Sequence, residues 1–339
     1  MLQGLSPCFT VLVNASTKDP SEDDEVTNKL ASTKNLDDLT VVSFYKFADI
    51  PDYTTKRQSL VDVCGRLHVS GGIILAAEGI NGSISGTKKA VAEVLESIQA
   101  DARLANLRIT RAPASYDEVG SDGAFRWNHV RVRLKKEVVP LGVPGLNPAN
   151  KAGQYVKPSD WNELISDPET VVIDVRNSYE TRIGSFKGAL DPKTASFREF
   201  PDWVDKNLSL KGDRPCRIAT FCTGGIRCEK ATAFLLDRGF DEVYHLEGGI
   251  LRYLEETQPA ESLWQGECFV FDRRVSVEHS LVPGTYDLCY ACKKPVNKQD
   301  MESTEWEAGV SCPHCFHHKS QREKDRARAR QRQFDILSY

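Results

Sequence analysis

Cys216-Arg217-Ile218-Ala219-Thr220-Phe221-Cys222-Thr223-Gly224-Gly225-Ile226-Arg227-Cys228 runs from an apolar, β-prone segment through two glycines into a helical pattern. Cys216 to Phe221 reads as a strand buried on both faces. Arg227 to Arg238 turns Ala231, Phe234 and Leu235 to one side at helical spacing. A loop that leaves a strand and feeds a helix start aims several backbone N–H groups at one point, and the helix dipole adds positive potential there. A cysteine at that focus is expected to have a lowered pKa and to be largely thiolate at neutral pH. Gly224 and Gly225 let the backbone curl around the sulfur, and Thr223, Gly224, Gly225 and Ile226 form the cradle that faces a substrate. Arg227 can pair with an anionic substrate or an anionic sulfur product. Cys228 can resolve an oxidised or persulfidated Cys222 by disulfide exchange, or simply pack. An inert buried thiol is the competing reading of Cys222; the order strand, Cys, two Gly, Arg, helix speaks against it.

Outward from this loop, helices and strands alternate over residues 159–260. Ser159 is expected to cap a helix through Ile165. Thr170 to Val175 is an apolar strand, Trp203 to Asn207 a helix, Val243 to Leu246 a strand and Gly249 to Glu256 a helix. That alternation implies a parallel α/β layer. The Gly- and Pro-rich run from Gly142 marks residues 142–158 as a linker. Upstream, residues 38–141 read β-α-β-β-α-β. The strands are Leu39–Phe47, Gly72–Ala77, Ser83–Ser85 and Arg108–Arg111, and Gly79-Ile80-Asn81-Gly82 is taken as turn. The helices are Asp52–Leu67 and Thr87–Ile98, and His129 to Val139 is a further strand. The order is that of a ferredoxin-like domain.

The chain is 40% apolar and 27% charged and has no stretch of about 18 apolar residues, so a membrane span is not expected. Residues 1–37 lack the basic start of a signal peptide and carry the acidic run Ser21-Glu22-Asp23-Asp24-Glu25. They read as a mobile extension of a cytoplasmic protein. Ten unevenly spaced cysteines in a chain of 339 residues argue for metal binding and thiol chemistry over a disulfide framework. Cys289-x-x-Cys292 and Cys312-x-x-Cys315 can each clamp one side of a tetrahedral Zn²⁺. Residues 261–318 are therefore expected to form a zinc module with four cysteine ligands. Four sulfurs close the site, which makes the zinc structural, and they leave His314, His317 and His318 as surface or phosphate contacts. No organic cofactor is evident, and no two-His-one-carboxylate iron set stands out among seven histidines. Residues 319–339 form a basic tail. Lys319 to Arg332 holds seven basic residues and two acids, a net +5 that leaves −9 on the rest of a chain of formal charge −4. A basic tail after a zinc knuckle suits a nucleic-acid partner.

Two resemblances sharpen these expectations. Val172-Ile173-Asp174-Val175-Arg176-Asn177-Ser178-Tyr179-Glu180, with Gly184 and Gly188-Ala189, resembles the first signature of rhodanese domains, and Gly239-Phe240 through Leu246-Glu247-Gly248-Gly249 resembles the closing one. The resemblance implies that Cys222 accepts a sulfur atom or a similar group and that Asp174 and Arg176 brace its loop. Related phosphatases carry one residue more than the six from Cys222 to Arg227, because a phosphate needs a wider cradle, so phosphatase activity is not expected.

The second resemblance covers roughly residues 40–320. Glu78-Gly79-Ile80-Asn81-Gly82, Phe197-Arg198-Glu199-Phe200-Pro201, Cys222-Thr223-Gly224-Gly225-Ile226-Arg227-Cys228-Glu229-Lys230 and Trp264-Gln265-Gly266-Glu267-Cys268-Phe269-Val270-Phe271-Asp272 resemble the tRNA uridine hydroxylases. The resemblance implies an α/β multidomain enzyme that uses molecular oxygen to convert the wobble uridine (34) of tRNA to 5-hydroxyuridine. It also implies contact with the anticodon arm, an external reductant and a central role for Cys222. The base must be unstacked to meet the thiol, which then either delivers a group it carries or adds to carbon 6. A rhodanese-type sulfurtransferase and a non-catalytic RNA-binding adaptor are the alternatives.

Overall fold

The computed structural model describes residues 38–113, 130–208, 217–272 and 274–337; the expected extension 1–37, His129 and Cys216 lie outside them. The first domain runs β1 (Leu39–Phe47), α1 (Lys56–Arg66), β2 (Ser70–Ala76), β3 (Gly79–Thr87), α2 (Lys88–Gln99) and β4 (Arg108–Pro113). Its strands pair in the order β4-β1-β3-β2, all antiparallel, and β5 (Val130–Leu134) adds a fifth strand parallel to β2. Leu60, Val63 and Cys64 of α1 and Val91, Val94, Leu95 and Ile98 of α2 pack on the Phe44, Ile73 and Ile84 face of this sheet. The Thr87 hydroxyl caps α2 by accepting from Ala90 N at 3.1 Å.

One expectation fails here. Gly79–Gly82 is strand, not turn; Ala76 pairs with Gly79, so the hairpin loop is Ala77-Glu78. The glycines serve close approach instead. Gly79 has φ +141°, and a Cβ there would collide with the Lys46 carbonyl of β1.

The second domain contains β6 (Gln154–Val156), α3 (Pro158–Ser166), β7 (Thr170–Asp174), α4 (Ser178–Thr181) and β8 (Gly184–Phe186). It continues with α5 (Phe200–Asn207), β9 (Arg217–Phe221), α6 (Ile226–Asp237), β10 (Glu242–Leu246) and α7 (Gly249–Glu256). Four strands form a parallel sheet in the order β6-β10-β9-β7. Along β9, Ile218 faces one core with Phe200, Val204 and Phe234, while Ala219 and Phe221 face the other with Trp161, Phe186 and Tyr253. This two-faced burial explains the unbroken apolar run. Pro158 occupies the first turn of α3, so Ser159, the expected cap, sits inside the helix. The linker reading also needs correction, since Gln154–Val156 pairs with β10. The α5 helix begins at Phe200, three residues before its expected start.

Residues 264–277 do not belong with the cysteine module, contrary to expectation. β11 (Trp264–Gly266) pairs with β8, and β12 (Cys268–Phe269) pairs with β13 (Ser276–Val277). Trp264, Cys268, Val270 and Val277 are buried in the second domain's core, which covers apolar surface that a small polar module cannot. The module itself is the small hairpin of β14 (Asp287–Leu288) and β15 (Pro295–Val296), followed by α8 (Lys298–Glu302). It packs Val296 against the cysteines, with Met301 and Trp306 alongside. The basic tail is a helix, α9 (Gln321–Leu337).

Candidate active site

Cys222 follows directly on β9, and α6 begins four residues later. Cys222 is 1% exposed, and its sulfur accepts a hydrogen bond from Gly225 N at 3.1 Å. Burial by itself would push this thiol up. The hydrogen bond from the Cys228 thiol, the Arg227 guanidinium and the backbone N–H groups of Cys228 and Arg227 outweigh that and hold it at about 6. Burial and the neighbouring thiolate push Cys228 well above its ordinary value. One thiol of the pair is thus ionised near neutrality and the other remains a proton donor to it.

The closing motif supports the loop from behind. Ile250 N and Leu251 N donate to the carbonyls of Cys222 and Thr223 at 3.0 and 3.1 Å. Gly249 makes this possible, because a Cβ there would lie 2.5 Å from the Cys222 oxygen and 2.6 Å from that of Thr223.

Arg227 is held differently from the expectation. Its guanidinium is buried and donates twice to Glu180, Nη1 and Nη2 each lying 2.7 Å from a carboxylate oxygen. A buried cation needs a counter-charge, so this side chain is committed to the protein rather than to an anionic substrate. Thr223 also turns inward, accepting from Arg227 at 3.3 Å. Of the four cradle residues, Gly224 and Ile226 keep partial exposure at the outer edge, while Thr223 and Gly225 are buried. Asp174 and Arg176 do form a buried ion pair, at 2.6 Å, yet it reaches Gly184 and Ser185 of β8 and not the thiol loop. The loop is braced by Glu180, which stood unassigned in the first signature. Burial opposes its charge, but Arg227 and Arg176 outweigh that and hold it below the usual carboxylate range.

The first domain closes over the start of α6. The Tyr45 hydroxyl of β1 donates to Glu229 at 2.9 Å. Burial raises the Glu229 carboxyl despite the Tyr155 and Tyr45 hydroxyls bonded to it. The neighbouring Lys230, 2% exposed, places its ammonium 2.9 Å from Glu78, 2.6 Å from Glu137 and 2.9 Å from the Val139 carbonyl. Two motifs far apart in the chain, around Glu78 and Cys222, thereby meet at one interface. Beside it, Tyr45, Arg108, Lys151, Tyr155 and Glu229 line a cleft of about 380 Å³. On another side of the loop Phe271 is 69% exposed, its ring centroid 5.9 Å from the Arg227 guanidinium carbon. It leans edge-to-face on Phe269, which in turn contacts Tyr179. Phe271 was legible only as part of the fourth quoted motif.

Cys289, Cys292, Cys312 and Cys315 bring their sulfurs within 4.8 Å of one another. Cys312 lies 3.7 Å from both Cys292 and Cys315. A tetrahedral Zn²⁺ with bonds of about 2.3 Å requires sulfur separations of about 3.8 Å, so the four residues fit that ion. The histidines point elsewhere: His314 pairs with Asp300 at 3.0 Å and His317 with Glu305 at 2.7 Å.

Residues 39–138 match the UPF0176 acylphosphatase like domain, and residues 157–256 match the Rhodanese-like domain. The chain is 54% identical to the Rhodanese-like domain-containing protein 7 of Arabidopsis thaliana, over 85% of this chain and 69% of that one. It is 49% identical to the tRNA uridine(34) hydroxylase of Agrobacterium fabrum, over 88% and 92% of the two chains. To the tRNA uridine(34) hydroxylase of Picosynechococcus it is 48% identical, over 83% and 91%. With a UPF0176 domain followed by a rhodanese domain, and this identity across nearly the full length of those hydroxylases, the chain belongs to the tRNA uridine(34) hydroxylase family.

Proposed function

We propose that this protein is a tRNA-modifying oxidoreductase that hydroxylates carbon 5 of the wobble uridine to 5-hydroxyuridine, with Cys222 as the catalytic thiol. The observation that carries the reading is the Cys222 thiolate, ionised near neutrality where β9 meets α6, in a chain of this family. In the net reaction O2 supplies one oxygen atom to carbon 5 and one to water, consuming two electrons and two protons from an external reductant. A thiolate is a strong nucleophile toward carbon 6 of uracil, and such addition activates carbon 5. Cys228 keeps its proton and hydrogen-bonds to that sulfur, so it can return a proton or resolve an oxidised Cys222. Arg227 acts through the loop: locked to Glu180, it lends positive charge to the sulfur. Phe271 offers an exposed ring on which an unstacked base can lie.

The ferredoxin-like first domain, the cysteine module and α9 are read as the parts that hold the anticodon arm. Zn²⁺ in the Cys289, Cys292, Cys312 and Cys315 site would be structural, supplying the folding energy a small polar module lacks. Among the described residues no helix is long and apolar enough to cross a membrane, and a tRNA substrate accords with a cytoplasmic location. Nucleoside mass spectrometry of tRNA from a deletion strain tests the function. Loss of 5-hydroxyuridine, restored by wild-type protein and not by Cys222→Ser, is the expected result. Normal 5-hydroxyuridine with loss of a thiolated nucleoside would transfer the assignment to a sulfurtransferase.

A further inference from the structure

The basic tail is a docked helix with two chemically distinct faces. Lys324, Ala327, Arg328 and Gln331 fall on one side of α9, and the contacts they make are with the cysteine module or the segment after it. The Lys324 ammonium sits 3.3 Å above the centre of the Phe316 ring, and the residue is 8% exposed. Ala327 is 4% exposed. Arg328 donates twice to Glu307, at 2.7 and 2.6 Å, and the Gln331 side chain lies over Gly309. These contacts fix the rotation of the helix, and so fix what it shows to solvent.

Arg322, Arg326 and Arg330 recur every fourth residue and are all exposed. At 100° per residue they fall within a narrow sector nearly opposite the docked face. The two acids of the first turns are committed close to home. Glu323 accepts from Ser320 N and Oγ at 2.8 and 2.7 Å, and Asp325 takes a hydrogen bond from Gln321 and pairs with Arg328. Successive arginines of the row rise by about 6 Å, and the three span about 12 Å. A single phosphate or carboxylate cannot engage all three; a linear polyanion can.

The geometry points to the Arg322, Arg326 and Arg330 row as a rigid contact for consecutive phosphates of an RNA backbone, held in register by the cysteine module. The inference rests on the tRNA reading above, which supplies the partner's chemistry. Among the tail's basic residues it separates three that grip RNA from two, Lys324 and Arg328, that dock the helix.

The test uses the full chain and a synthetic anticodon stem-loop, with affinity measured across a series of salt concentrations. The triple variant Arg322→Gln, Arg326→Gln, Arg330→Gln keeps good helix formers. Three lost phosphate contacts should lower the slope of log K on log salt by about 2. A fourfold rise in salt should then cost the wild type about sixteen times more affinity than it costs the variant. An unchanged slope and affinity overturns the proposal. So does an unchanged RNA slope coupled with lost binding to anionic lipid vesicles, which would reassign the row to a membrane surface. A deletion strain whose tRNA keeps normal 5-hydroxyuridine, together with wild-type protein that binds the stem-loop with the steeper slope, supports the arginine row and refutes the hydroxylase reading, so the two failures are distinguishable.

Discussion

Lys230 Nζ stands 2.9 Å from Glu78 Oε2, across the boundary between the two domains and at the second turn of the helix that begins beside Cys222. With Glu137 at 2.6 Å it forms a three-charge junction under the thiol loop. The same helix gives its preceding residue, Glu229, to Tyr45. The first domain therefore supplies part of the framework that orients α6, and the core is continuous there: Phe47, Ala76, Val138 and Val139 pack in one cluster with Cys222, Cys228 and Phe234.

Replacing Lys230 by Met should cost about 2–4 kcal/mol, slightly under the figure for a fully buried pair because both carboxylates keep some water. Calorimetry should show the variant's unfolding transition broadened or split relative to the wild type's as the domains uncouple. A variant that melts in one transition at the wild-type temperature would show the junction to be energetically neutral.

Cys222 is expected to titrate near 6, against about 8.5 for a free thiol. Its alkylation by iodoacetamide should rise as pH increases through 6 and level off above, because the thiolate is the reacting form. Cys228→Ala removes the hydrogen bond from the neighbouring thiol and should move that midpoint upward. A wild-type midpoint near the free-thiol value would contradict the reading of the loop.

Glu180→Gln leaves the Arg227 guanidinium buried without its counter-charge and should cost about 3–5 kcal/mol at neutral pH. The sign with pH follows from the depressed folded pKa of Glu180. Its contribution is fully present above the unfolded value of about 4.3 and is lost as pH falls through the lower folded value. Urea denaturation of the two proteins should accordingly converge in acid. A gap that stays constant down to the acid limit would place the effect outside this ion pair.

Elemental analysis of protein purified without chelator should find about one zinc per chain. Cys289→Ser should lose the metal together with the fold of residues 287–318 and the docking of α9. The strands around Trp264, Cys268 and Val277 should resist limited proteolysis in that variant, since these side chains are buried in the rhodanese core. Early cleavage within these strands would mean that the module and the core unfold as one.

Phe271→Ala should weaken stem-loop binding by about 1–3 kcal/mol, the range for one base stacked on an aromatic ring, and Phe271→Tyr should largely preserve it. The Cys222 alkylation rate should not change in either. Equal binding by all three proteins would remove Phe271 from the substrate site.

Much of this protein is determined by its sequence. The apolar run before Cys222, the two glycines and the helical pattern after them specify a strand, a loop and a helix whichever partners they later meet, because local periodicity and backbone freedom act over a few residues. The same holds for the β-α-β-β-α-β order and the two Cys-x-x-Cys pairs. Tertiary structure decided what each charge does. Arg227 reads as a substrate ligand until Glu180, 47 residues away, occupies it. Lys230 and Glu78 carry no joint signal in a linear text, and Trp264 to Val277 reads as part of the metal module until it is seen filling the adjacent core. The tail likewise counts as +5 on paper, and only the docked register of α9 separates the arginines facing solvent from Lys324 and Arg328, which are engaged by Phe316 and Glu307. The physical reason is common to all four. A buried charge or ring takes whichever partner the packing brings within about 4 Å, and that choice is made by the assembled fold.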